Sequence, residues 1–143
     1  MRPVSTTIVN HVAAPVERVF ALLTDPARIP EWLPGCSGVA ATSPGPLKKG
    51  AKIRVSFGER DTAFEVVDCQ PPNTFGWVER GSRQGCKTFF RLDFAGTLTA
   101  VTIKDVWQPP SLLALLRGKL RPRRHPHLRL GSTIQNLRLA LAR

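Results

Sequence analysis

Val4-Ser5-Thr6-Thr7-Ile8-Val9-Asn10-His11-Val12, followed by Ala14-Pro15-Val16-Glu17-Arg18-Val19-Phe20, decides the reading of this chain. The first nine residues alternate, with Val4, Thr6, Ile8 and Asn10 on one face and Thr7, Val9 and His11 on the other, which predicts a strand. Pro15 then stands where a helix begins: its ring pre-sets the backbone, and the N–H it lacks would be unpaired there anyway. Val16, Val19, Phe20 and Leu23 recur at helical spacing. Thr24-Asp25-Pro26 closes that helix, because a residue before proline resists the helical region. Ile29 to Leu33 predicts a second, very short helix, stopped by Pro34-Gly35.

Beyond it the period is two. Ala51, Ile53, Val55 and Phe57 alternate with Lys52, Arg54 and Ser56. Phe64 and Val66 follow the charged turn Gly58-Glu59-Arg60-Asp61. After Pro71-Pro72-Asn73 come Phe75, Trp77 and Glu79. After the turn Gly81 to Gly85 come Thr88, Phe90, Leu92 and Phe94, and after Ala95-Gly96-Thr97 come Thr99, Val101, Ile103, Asp105 and Trp107. Successive strands joined by short turns predict an antiparallel meander. Pro109-Pro110 ends it. Leu112 to Leu116 is a short apolar run, expected as a short helix. A basic loop interrupted by Pro122 and Pro126 follows, because each proline should break a helix. Leu130, Ile134, Leu137 and Leu141 then share one face of a closing helix. The expectation is an α+β fold in one domain over 1–143: a curved antiparallel sheet around a C-terminal helix, with two short helices after the first strand. At this length roughly 70% of the chain's surface can be buried.

Composition narrows the function. Cys36, Cys69 and Cys86 lie far apart with no Cys-x-x-Cys, so a disulfide framework is not expected and a reducing compartment is. No apolar run has signal-peptide or membrane-spanning length, which points to the cytosol. The net charge is +11, and eight of the 21 Lys and Arg lie in the last 38 residues, where there is no Asp or Glu. Arg117, Lys119, Arg121, Arg123, Arg124 and Arg129, behind Leu112 to Leu116, suit peripheral contact with an anionic membrane as well as they suit a solvated loop. The same segment has no interleaved aromatics for base stacking, which argues against nucleic acid. His125-Pro126-His127 has no nearby carboxylate or thiol, so neither a metal nor another cofactor is expected.

The order of these elements resembles the helix-grip fold of the START and Bet v 1-like (SRPBCC) superfamily, in particular its bacterial polyketide cyclase/dehydrase branch. Ala14 to Phe20 with Asp25-Pro26 and Trp32 carry the resemblance, with Val66-Val67-Asp68-Cys69-Gln70-Pro71-Pro72 and Gly96 to Thr102. The resemblance implies a deep apolar cavity between sheet and closing helix, used in the family for lipids, quinones or polyketides and in a minority for chemistry. The interrupted stretch Leu112 to Leu128 departs from the usual long closing helix.

Candidate ligand-binding residues follow from the alternation: Val55, Phe57, Phe64, Val66, Phe75, Trp77, Phe90, Leu92, Ile103 and Trp107, facing Leu130, Ile134 and Leu137. Trp32 either packs the short helix over the sheet or gates the cavity. Most of these residues would serve as well to fill a core. Glu79 and Asp105 share the inward phase with apolar neighbours, so each is a polar anchor or an acid/base group if inward. Otherwise each sits at a strand end near solvent, or pairs with Arg80 or Lys104. No nucleophile elbow or phosphate loop is present. A binder or carrier of an apolar small molecule is therefore expected ahead of a cyclase- or dehydratase-like enzyme, and a basic surface protein comes third. Oligomeric state is open.

Overall fold

The computed structural model describes residues 4–41, 44–81, 85–107 and 126–142, with side chains in the last segment from Leu130 onward. In chain order the elements are β1 (Val4–Val12), α1 (Val16–Thr24), a 3₁₀ turn (Pro26–Arg28), α2 (Ile29–Trp32), β2 (Gly38–Ala41) and β3 (Lys52–Phe57). Then come β4 (Arg60–Gln70), β5 (Thr74–Arg80), β6 (Lys87–Ala95), β7 (Leu98–Trp107) and α3 (Pro126–Leu141). The strands form one seven-stranded antiparallel sheet in the order β1-β7-β6-β5-β4-β3-β2. With α3 against its inner face, this is the α+β helix-grip architecture the alternation predicts. Pro126 opens α3 rather than interrupting it, since proline is tolerated in a first turn. The apolar run 112–116, the basic residues 117–124 and His125 lie outside the described residues.

The first helix follows its proline start: Arg18 and Val19 both donate their backbone N–H to the Pro15 carbonyl. Asp25 ends α1, and its carboxylate accepts from the Ala27 N–H at 3.0 Å to start the next turn. Between β3 and β7, hairpins set the register. Ala95 pairs with Leu98 around a two-residue loop, where Gly96 has φ +70°, the sign a tight hairpin needs. A register shift between Val66 and Asp68 bulges β4, which increases the local twist of the sheet. At Gly76 the reason for glycine is steric: a Cβ would lie 2.4 Å from Cδ1 of Phe89.

A continuous core joins the layers. Val19, Leu22 and Leu23 of α1, Ile29 and Trp32 of α2, the inward residues of β3 to β7, and Leu130, Ile134 and Leu137 of α3 are all buried in it. The Thr99 hydroxyl ties the loop after β1 to this core by donating to the Ala14 carbonyl at 2.6 Å, and Thr24 donates to the Phe20 carbonyl of its own helix at 2.9 Å. Arginines hold the far end of α3. Arg18 donates to the Leu141 carbonyl at 2.8 Å and Arg28 to the Ala140 carbonyl at 3.5 Å, so cations meet carbonyls that the helix end leaves unpaired. Arg138 in turn donates to the Asn10 side chain at 2.6 Å and the His11 carbonyl at 3.0 Å, clamping α3 to β1.

Candidate functional site

The inner face of the sheet is aromatic where it meets α2 and α3. Trp77 of β5 stacks on Trp32 at 5.6 Å between ring centroids, and Phe90 of β6 meets Trp32 edge-on at 5.5 Å. Phe64 of β4 lies 4.8 Å from Trp77. The Trp32 indole is fixed from behind, donating to the Leu22 carbonyl at 3.3 Å. Such offset and edge-to-face pairs add about 0.5–1.5 kcal/mol each beyond area burial, so this cluster is a rigid wall.

Against that wall lies an enclosed cavity of about 40 Å³. Trp32, Leu33, Phe64, Trp77, Phe90, Ile103 and Leu130 form its apolar side, and Glu79, Cys86, Thr88, Asp105 and Thr133 its polar end. The register explains the polar end. Thr88 pairs with Asp105 across β6 and β7, and the Glu79 N–H donates to the Cys86 carbonyl where β5 meets the approach to β6. Asp105 is 4% exposed, and one of its oxygens accepts both the Cys86 thiol at 2.9 Å and the Thr88 hydroxyl at 3.2 Å. Glu79 is half-buried. Both acids thus face inward, and neither pairs with the cations beside it. Lys104 is exposed, and Arg80 pairs with Glu65 at 3.4 Å.

The other inward residues serve the core. Val55, Val66, Phe75, Leu92, Ile134 and Leu137 are buried in it but do not line the cavity. Phe57 is half-buried with the Arg60 guanidinium 5.4 Å from its ring centre, and Trp107 is half-buried at the end of β7 with no partner for its indole N–H among the described residues. This space, bounded by described residues, admits a head group rather than a whole lipid. Of the basic residues, Arg117, Lys119, Arg121, Arg123 and Arg124 lie outside the described residues, and so does the side chain of Arg129.

Residue alternation gave no hint of a second, larger space. A solvent-open groove of about 730 Å³ runs between the end of α1 and the β2–β3 loop, along Ala21, Thr24, Asp25, Pro26, Ala27, Ala41, Pro44, Gly45 and Pro46. Its polar side chains are already used: Thr24 bonds its own helix and Asp25 caps the next turn. Convergent polar groups mark a binding site better than volume does, which favours the inner cavity.

The remaining thiols lie outside that cavity. Burial pushes the Cys36 thiol up from its ordinary range, and burial followed by the neighbouring Asp68 charge does the same for Cys69. Cys36, Cys69 and Cys86 form no disulfide, and among the described residues no group of three or more His, Cys, Asp or Glu could hold a metal. Among those residues, too, no helix is long and apolar enough to cross a membrane.

Solved structures share this architecture at low identity. NE0264 from Nitrosomonas europaea matches with a TM-score of 0.74 and 16% identity over 96% of this chain and 94% of that one. A major latex-like protein from Panax ginseng matches with a TM-score of 0.73 and 10% identity over 96% and 97%. DynU16, a protein in the dynemicin biosynthetic locus, matches with a TM-score of 0.70 and 20% identity, and this chain spans 47% of its length. No curated protein matches the sequence. The family model described as polyketide cyclase / dehydrase and lipid transport matches residues 1–123, most of the chain including the whole sheet, and the protein therefore belongs to that family.

Proposed function

We propose that this protein binds an apolar small molecule in the inner cavity, with the polar head of the ligand at Glu79, Cys86, Thr88 and Asp105. One observation carries the reading: an aromatic wall and a polar end converge on the same enclosed space. Apolar burial there would contribute about 25 cal/mol per Å², and the polar groups would fix orientation. Because the space is small, a lipid-, isoprenoid- or polyketide-sized ligand must displace part of the wall or leave its tail outside. Native mass spectrometry of protein purified without detergent, followed by organic extraction, tests the reading. A stoichiometric apolar passenger supports a carrier, and its identity names the class.

A cyclase- or dehydratase-like activity in the same cavity is the second reading. The observation in its favour is that a carboxylate, a thiol and a hydroxyl meet at Asp105, with Glu79 on the same wall, as proton transfer requires. Turnover separates the two: a carrier returns its passenger chemically unchanged, whereas an enzyme converts it and loses that conversion in Asp105→Asn. Peripheral contact with anionic membrane is a separate proposal resting on the charge of residues 117–129. Binding to anionic liposomes that collapses with added salt would support it.

A further inference from the structure

Asp105 is a buried acid with no ionic partner among the described residues. Its two donors, Cys86 and Thr88, are neutral, and it takes part in no ion pair among the described residues. Glu79 shares the cavity and likewise has no ion pair there. Among the described lining residues there is no Lys, Arg or His, although the chain carries a net charge of +11. The described lining is therefore acidic inside a basic protein. Carboxylates taken from water are costly to bury unless a counter-charge meets them. The opposite wall, Trp32, Phe64, Trp77 and Phe90, offers aromatic rings, whose faces attract cations most strongly where water is excluded.

We propose that the cavity takes the protonated amine head of its ligand, so that the bound molecule is an amphiphilic amine with its ammonium group at Asp105 and Glu79. This rests on the cavity-binding reading above and narrows it. The volume of about 40 Å³ suits an ammonium or methylammonium group, with the hydrocarbon part continuing along the aromatic wall or out of the cavity. A neutral hydroxyl could donate to the same oxygens, but a charge-assisted bond is roughly twice as strong. An anionic head would meet two carboxylates and no cation among the described lining residues. The net charge of the protein works the other way, drawing anions generally, so a preference for amine cannot arise from the overall field.

The test is an NMR titration at pH 7 with n-hexylamine, n-hexanol and hexanoate, read at the amide signals of Trp77, Thr88 and Asp105. The amine is expected to bind about tenfold or more tighter than the alcohol, and hexanoate not to bind there. Glu79→Gln and Asp105→Asn should each erase most of the amine's advantage over hexanol. If Asp105→Asn does not fold, Glu79→Gln decides alone. Hexanol binding as tightly as hexylamine, or an amine preference unchanged in the variants, overturns the inference and leaves the cavity reading standing. If none of the three moves those signals, the cavity reading itself fails and the inference falls with it.

Discussion

Two spaces lined by described residues differ in opposite directions: the groove beside α1 is large and chemically spent, whereas the grip cavity is small and chemically loaded. Proline, alanine and glycine line most of the groove, and its two polar side chains are occupied by local caps. Five polar side chains at one end and four aromatic rings along the wall line the cavity, in less than a tenth of the volume. Strand register and helix docking converge side chains at the second place, while a loop merely stands away from a helix at the first. Volume records where the chain fails to pack, and function needs groups that meet.

The sharpest way to break this contrast is to remove a wall. Trp77→Ala takes away an indole that stacks on Trp32 and touches Phe64 and Phe75. It should cost about 3–5 kcal/mol in urea unfolding, whereas Ala27→Ser in the groove should stay within about 0.5 kcal/mol. Comparable losses at both sites would mean that the cavity wall is not the organising core. Gly76→Ala comes next. The new methyl meets the Phe89 ring on the other face of the sheet and should cost about 1–3 kcal/mol, read as a lower urea midpoint with an unchanged slope.

Filling each space in turn sharpens the comparison. Leu130→Phe should lower affinity for a cavity ligand about tenfold or more, while Ala27→Phe in the groove leaves it within about twofold, both by titration calorimetry. The smallest effect concerns the thiols outside the cavity. Cys36 and Cys69 are held above their ordinary range, so at pH 8 less thiolate is present folded than unfolded. Alkylation of both should be slower in the native protein than in urea and should quicken as pH rises. The sign for stability agrees: a thiol raised on folding contributes stability below its unfolded value, and that contribution fades as pH rises through the folded value.

Much of this was legible in the chain. The alternation in β3 to β7 phases Phe64, Trp77, Phe90, Ile103 and Asp105 inward, and the spacing in α3 places Leu130, Ile134 and Leu137 opposite. Glu79 and Asp105 stand out because each breaks an apolar phase. Strand β2 escaped notice because Gly38 to Ala41 is short, with small or half-exposed side chains and no alternation. Phe94 continues the inward phase of β6 yet is 80% exposed, although its cross-strand partner Thr99 is buried. Cys86 precedes β6 and has no period to phase it; the bond between the Glu79 N–H and the Cys86 carbonyl holds it where its thiol reaches Asp105. Thr133 could have been found, three residues after Leu130 on the buried stripe, but a threonine there reads as an interruption. Which inward residues line space and which fill it depends on ring packing, and periodicity does not encode that.

The most direct test of where this protein binds its ligand is an amide NMR titration with n-hexanol, a neutral probe indifferent to the amine question. The account predicts saturable shifts at Trp77, Cys86, Thr88, Asp105 and Leu130, with Ala21, Thr24, Ala27 and Ala41 unmoved. Saturable shifts confined to Ala21, Thr24, Ala27 and Ala41 would put the ligand in the groove and contradict it.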